Sequence, residues 1–145
     1  MIKKVIFICT GNTCRSPMAE ALFKKLMTEK GISDIEVSSA GLMTADGLPA
    51  SENSVKAMAE AGTDISLHRS RQLTAEMLDG AVAVTMTAAQ AQMLKNFTDS
   101  VMAMPVEIPD PYGGDLEKYI SCREAISAAL PEVLERLEKY EDSEA

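Results

Sequence analysis

Tryptophan is absent from these 145 residues, aromatics make up only 4%, and His68 is the single histidine. So few aromatics leave little to stack on a flat ring. Positive charge is the scarcer sign, with 14 Lys plus Arg against 22 Asp plus Glu and a net charge of −8. That balance excludes a protein whose affinity rests on nucleic-acid phosphates or on an anionic membrane surface. A compact anion site stays open, because it needs only a few well-placed donors. Cysteines number three, an odd count that fits reduced thiols better than a disulfide framework. With one distant histidine and no paired ligand spacing there is no zinc signature, so neither metal nor cofactor is expected. Long apolar runs are missing as well. After Lys3 and Lys4 the run from Val5 to Cys9 spans five residues before Thr10-Gly11-Asn12, too short for a signal peptide or a membrane span. A cytoplasmic, monomeric protein is expected. Apolar residues at 46% and charged residues at 25% are ordinary for a globular chain. The length fits one domain over residues 1–145, without repeats, low-complexity tracts or linkers.

Val5-Ile6-Phe7-Ile8 is a continuous β-rich run that ends in Cys9, as a buried parallel strand would. Ser16 follows as an expected N-cap and Pro17 as the first helical residue, with Met18, Ala21, Leu22 and Leu26 as the apolar stripe up to Gly31. A second strand is expected over Ile35 to Ala40, closed by Gly41. A second helix fits Ser51 to Ala61, with Val55, Met58 and Ala59 inward and Gly62 as its stop. Ala81 to Val84 reads as the third strand, Thr87 to Leu94 as a helix and Val101 to Met104 as the fourth strand. A long helix starts at Asp115, with Pro131 expected to kink it or start a new turn, and Glu141 to Ala145 expected to fray. Strands alternating with helices give an α/β fold, a three-layer doubly wound sandwich around a four-stranded parallel sheet.

Ligands of such folds bind at the carboxyl ends of the strands, where Cys9 stands. The loop Thr10-Gly11-Asn12-Thr13-Cys14-Arg15-Ser16 contains a glycine and an asparagine that tolerates left-handed dihedrals. It can curl so that successive backbone N–H groups face one oxyanion, beside a helix N-terminus. Arg15 can grip two phosphate oxygens, and the same positive environment favours the thiolate of Cys9, a nucleophile under a bound phosphoryl group. Expelling the leaving group then needs an acid. Asp110, set between Pro109 and Pro111 with Gly113-Gly114 behind it, is the best candidate.

Cys9-Thr10-Gly11-Asn12-Thr13-Cys14-Arg15-Ser16-Pro17 resembles the signature loop of the low-molecular-weight protein tyrosine phosphatases. Ser38-Ser39-Ala40-Gly41, His68-Arg69-Ser70-Arg71-Gln72 and Asp110-Pro111-Tyr112 follow in the family's order, so the likeness spans nearly the whole chain. The resemblance implies a phosphatase acting on phosphorylated proteins, with Cys9 as the nucleophile that becomes a phosphocysteine, Arg15 binding phosphate and Asp110 as acid and then base. It also implies that Asn12, Ser16, Ser39 and His68 hold the loop from behind. Cys14, in the same tight loop, could capture an oxidised Cys9 as a reversible disulfide. Cys122 is expected to be structural.

Thr13 stands where tyrosine-specific members often carry a bulky aliphatic, Leu42 follows the Ser-Ala-Gly motif without an aromatic wall, and Tyr112 is followed by Gly113 rather than a second aromatic. Thr13, the run at 110–114 and Met86-Thr87 resemble the protein arginine phosphatases instead. A guanidinium can be held by the Asp110 carboxylate and a threonine hydroxyl. Phosphoarginine is the expected substrate, phosphotyrosine the alternative, with Thr13, Leu42 and Tyr112 setting specificity. An arsenate reductase of the thioredoxin-coupled kind would need further cysteines between Cys14 and Cys122, and none is there. A noncatalytic phosphoprotein binder would need neither nucleophile nor acid.

Overall fold

A computed structural model describes residues 4–144, with side chains described through residue 139. β1 (Lys4–Cys9) leads into α1 (Arg15–Glu29), then β2 (Glu36–Gly41), α2 (Glu52–Glu60) and a short α3 (Ala75–Leu78). β3 (Ala81–Thr85), α4 (Ala88–Leu94), β4 (Val101–Ala103) and α5 (Leu116–Glu144) complete the chain. All pairings are parallel and the sheet order is β2-β1-β3-β4. The chain steps from β1 to one side and later returns to the other, so the crevice of the fold opens at the carboxyl end of β1. Among the described residues no helix is long and apolar enough to cross a membrane.

Alternation along β1 builds the three layers. Val5, Phe7 and Cys9 join the core under α1, α2 and α5. Ile6 and Ile8 join a smaller cluster with Ala40, Ala83, Ala91 and Leu94 under α4. Phe7 meets Phe23 of α1 edge to face with ring centroids 5.3 Å apart, a favoured aromatic geometry. Cys9 therefore emerges on the α1 side of the sheet.

The expected α/β sandwich is the observed fold, and several local expectations are corrected. α1 starts two residues earlier than expected: Cys14 occupies the N-cap position and Ser16 lies inside the first turn. Its hydroxyl is taken by the loop rather than by a cap. The most buried positions of α1 are Met18, Ala19, Phe23 and Met27, with Ala21, Leu22 and Leu26 half-buried, because the helix packs on both the sheet and α5. In α2, Ser54, Ala57 and Met58 are buried while Ala59 is exposed. Ser51 and Thr87 are N-caps rather than helical residues. β4 stops at Ala103, and α3 was not expected. α5 begins after Asp115, whose carboxylate accepts from Lys118 N at 3.0 Å, and runs through Pro131 without a break. Proline costs one internal hydrogen bond, which the packing of Leu130, Val133, Leu134 and Leu137 offsets. The backbone stays helical through Glu144 where fraying was expected, and Ala145 lies outside the described residues.

Candidate active site

The segment after β1 closes on itself around the Cys9 sulfur. Asn12 N and Ser16 N point at Sγ from 3.3 and 3.4 Å, and Ser16 Oγ lies 3.0 Å away. The turn depends on Asn12, the one described non-glycine residue with positive φ, at 56°. Asparagine tolerates this conformation better than most side chains. Its own side chain is fully buried and fully used: Nδ2 donates to Ser16 Oγ at 2.8 Å and Ser39 Oγ at 3.0 Å, and Oδ1 accepts from Arg71 N at 2.9 Å. His68 Nε2 lies 2.8 Å from the Asn12 carbonyl oxygen. The structure thus brings together all four residues expected behind the loop.

β2 supports the other side. Leu42 N donates to Cys9 O at 3.0 Å and Met43 N to Thr10 O at 2.9 Å. A Cβ on Gly41 would stand 2.9 Å from Thr10 O and 3.1 Å from Gly11 C, closer than side chains tolerate. Only glycine lets β2 and the loop approach this closely.

Cys9, Thr10, Gly11, Thr13, Cys14, Arg15, Asp110 and Tyr112 line a cleft of about 230 Å³. Cys9 and Arg15 form its buried floor, 2% and 4% exposed. Arg15 Nη1 donates to Ile108 O at 2.9 Å and Nη2 lies 3.7 Å from Asp110 Oδ2. Arg15 Nε is buried with no partner among the described residues. An unpaired donor on a buried cation is costly, and an oxyanion in the cleft would satisfy it. The Asp110 carboxylate stands half-exposed at the rim, its Oδ1 accepting from Tyr112 N at 3.0 Å.

Thr13 and Tyr112 line the cleft, and Leu42 does not. Leu42 has the same strand parity as Ala40, so it packs toward the α4 side with Leu73, Met77 and Leu78. It lines a separate apolar groove of about 420 Å³. Its exposed neighbour Met43 is bonded through its backbone to the loop.

Cys14 is a buried free thiol whose sulfur neighbours Ser51 Oγ at 3.4 Å and Tyr119 OH at 3.5 Å. Burial first, and then the hydrogen bond with Cys14, push Tyr119 up to about 12. Burial likewise pushes the Cys122 thiol up to about 12, so it remains protonated at neutral pH and is inert.

The sequence alone assigned no role to four contributors. Glu20 Oε1 accepts from Ser39 Oγ at 2.6 Å, and Arg71 reaches Ser39 O from Nε and Nη2 at 3.4 Å each. Tyr119 contacts Cys14, and Gln90 Nε2 donates to Thr10 Oγ1 at 3.2 Å. Two signals were present: Glu20 is one helical turn after Ser16, and Thr87-x-x-Gln90 has capping-box spacing.

Residues 4–143 match the family described as Low molecular weight phosphotyrosine protein phosphatase. The chain is 35% identical to the protein-arginine-phosphatase of Geobacillus stearothermophilus, covering 93% of this chain and 96% of that one. It is 30% identical to the low molecular weight protein-tyrosine-phosphatase of Streptomyces coelicolor, covering 89% of this chain and 90% of that one. The solved structure of a YwlE arginine phosphatase, a cysteine-to-serine mutant with a phosphorylated active-site serine, superposes with a TM-score of 0.86 at 31% identity, covering 94% of this chain and 96% of that one. A cysteine on the floor of an anion-shaped loop, an arginine with a free donor beside it and this match over nearly the whole chain lead to one assignment: the chain belongs to the low molecular weight phosphotyrosine protein phosphatase family.

Proposed function

We propose that the chain is a cysteine-dependent phosphatase that hydrolyses phosphorylated protein side chains through a phosphocysteine, and that phosphoarginine is its preferred substrate. The observation that carries the chemistry is the single cleft shared by Cys9, Arg15 and Asp110. The Cys9 thiolate attacks phosphorus while the bond from phosphorus to the leaving nitrogen breaks. Asp110 gives that nitrogen its proton, so the leaving group departs neutral at the atom that breaks. Arg15 Nε, without a partner among the described residues, takes a phosphoryl oxygen, as Nη2 does when it turns from Asp110. In the second step Asp110, now a carboxylate, takes a proton from water as that water attacks the phosphocysteine. Inorganic phosphate leaves, and the sulfur returns to the donors on Asn12 N, Ser16 N and Ser16 Oγ. Three free cysteines suit the reducing cytoplasm.

Support for phosphoarginine comes from two polar side chains, Thr13 and Asp110, that line the same cleft as Cys9. The name of the Geobacillus relative points the same way. Phosphotyrosine is the second reading, favoured by the exposed Tyr112 ring on the same cleft. The test is a side-by-side kcat/KM for phosphoarginine and phosphotyrosine peptides in the native protein and in Thr13→Ile. We expect the native protein to favour phosphoarginine. Losing one hydrogen bond to a charged group shifts the ratio toward phosphotyrosine by roughly tenfold or more in the variant. A native preference for phosphotyrosine would overturn the substrate assignment.

A further inference from the structure

Gln90 is a polar side chain only 8% exposed, in a helix on the far side of the sheet from α1, and the chemistry above makes no use of it. Its Oε1 accepts from Met86 N at 3.1 Å and from Thr87 N at 3.2 Å. Two donors on one atom settle the orientation of the amide, because a flipped side chain would aim its own N–H bonds at two N–H groups. Nε2 must then face the other way, where it donates to Thr10 Oγ1 at 3.2 Å. A hydroxyl has one proton to donate and two lone pairs to accept with. Gln90 occupies one lone pair, which leaves the Thr10 O–H free to donate, and among the described residues no protein group takes it. Thr10 follows Cys9 in the chain and lines the cleft.

The turn that Gln90 reads also ties the two halves of the site together. Met86 N bonds to Ile8 O at 3.2 Å, and Met86 O accepts from Ile108 N at 3.1 Å. Ile108 O in turn accepts from Arg15 Nη1 at 2.9 Å.

We propose that the Thr10 hydroxyl, oriented by Gln90 as a positioning residue, donates a hydrogen bond to an oxygen of the phosphoryl group bound in the cleft. The proposal rests on the phosphatase reading and adds a side-chain donor to the backbone donors of the loop. It also sets a polarity. A phosphorylated guanidine offers acceptors only on its phosphoryl oxygens, so a hydroxyl held with its proton outward matches that group.

Inorganic phosphate, used as a competitive inhibitor, is the probe. Thr10→Val removes the proton at nearly constant volume. Gln90→Glu keeps an acceptor for the Met86 and Thr87 amides but replaces the donor with a carboxylate, which draws the Thr10 proton toward itself. Each substitution is expected to raise the phosphate inhibition constant about tenfold at neutral pH. The double variant should bind phosphate no more weakly than Thr10→Val alone, and Thr10→Ser should stay within about threefold of native, because it keeps the hydroxyl. Gln90→Glu should regain ground relative to the native protein at acid pH, where the introduced carboxyl is protonated and donates again. A merely loosened site would not respond that way. An unchanged inhibition constant in Thr10→Val, effects that multiply in the double variant, or no acid recovery would overturn the proposal. Failure of the native protein to turn over either phosphopeptide would instead strike the phosphatase reading, and the dissociation constants of inorganic phosphate from calorimetric titration of the same proteins would then still decide the role of Thr10.

Discussion

Replacing Asn12 with alanine removes more from this molecule than its size suggests. Three side-chain hydrogen bonds disappear, to Ser16 Oγ, Ser39 Oγ and Arg71 N. The Arg71 amide loses its acceptor, at about 1–3 kcal/mol, and each of the other two bonds is worth about 0.5–1.5 kcal/mol. Alanine must also hold the φ of 56° that asparagine tolerates, which costs roughly another 1 kcal/mol. The losses share one network, so the expected destabilisation is about 3–5 kcal/mol rather than their full total. That is a large part of the about 5–15 kcal/mol a domain possesses. Urea unfolding of native, Asn12→Ala and Asn12→Gly proteins separates the contributions. Glycine relieves the dihedral and restores none of the bonds, so it should fall about 1 kcal/mol short of the alanine loss. Turnover should collapse in both variants, because the Asn12 amide bonded to the Cys9 sulfur is no longer aimed. An alanine variant within about 1 kcal/mol of native would refute the network argument. Equal losses in the alanine and glycine variants would refute the strain argument.

Asp110→Ala should lose most activity on phosphorylated groups with poor leaving atoms and much less on activated aryl phosphates, which need little protonation; a loss independent of leaving-group pKa would remove Asp110 as the acid. Mild peroxide should inactivate the native protein reversibly, as a Cys9 sulfenic acid condenses with the Cys14 thiol and releases water. Cys14→Ser should progress to irreversible loss, and mass spectrometry of the peroxide-treated native protein should find the Cys9–Cys14 bond. Tyr119, pushed up to about 12 by burial, keeps its proton in the folded state at a pH where an exposed tyrosine has lost it. Its contribution to stability is therefore complete below about 10 and is lost as pH rises toward the folded value. A phenolate absorbance titration should show one late step that coincides with unfolding and is missing in Tyr119→Phe.

Local pattern and local chemistry are what a sequence displays directly. The run from Val5 to Cys9, the Gly-Asn loop and the helix behind it can be read in order, because each is a short contiguous signal. The alternation of strands and helices likewise implies the parallel sandwich, with the crevice at the end of β1. Which face a residue meets is settled by packing between distant segments. Ala59 has helical spacing with Val55, yet it faces solvent because α2 buries only the stripe turned toward α5. α3 is four residues long, little more than one helical turn and too short for a period to show. Leu42 follows the Ser-Ala-Gly motif at the mouth of the site, but strand parity sends its side chain to the opposite layer. The hydrogen-bond partners of the loop are still less local, since Asn12 meets Ser39 and Arg71, and Thr10 meets Gln90 from 80 residues away. The sequence by itself determined the kind of chemistry, because a nucleophile, a cation and a glycine-asparagine turn lie within a few residues of one another. Only the tertiary structure decided what holds that loop in shape, because the positive φ and the buried side-chain amide of Asn12 are balanced by groups that come together when the sheet forms.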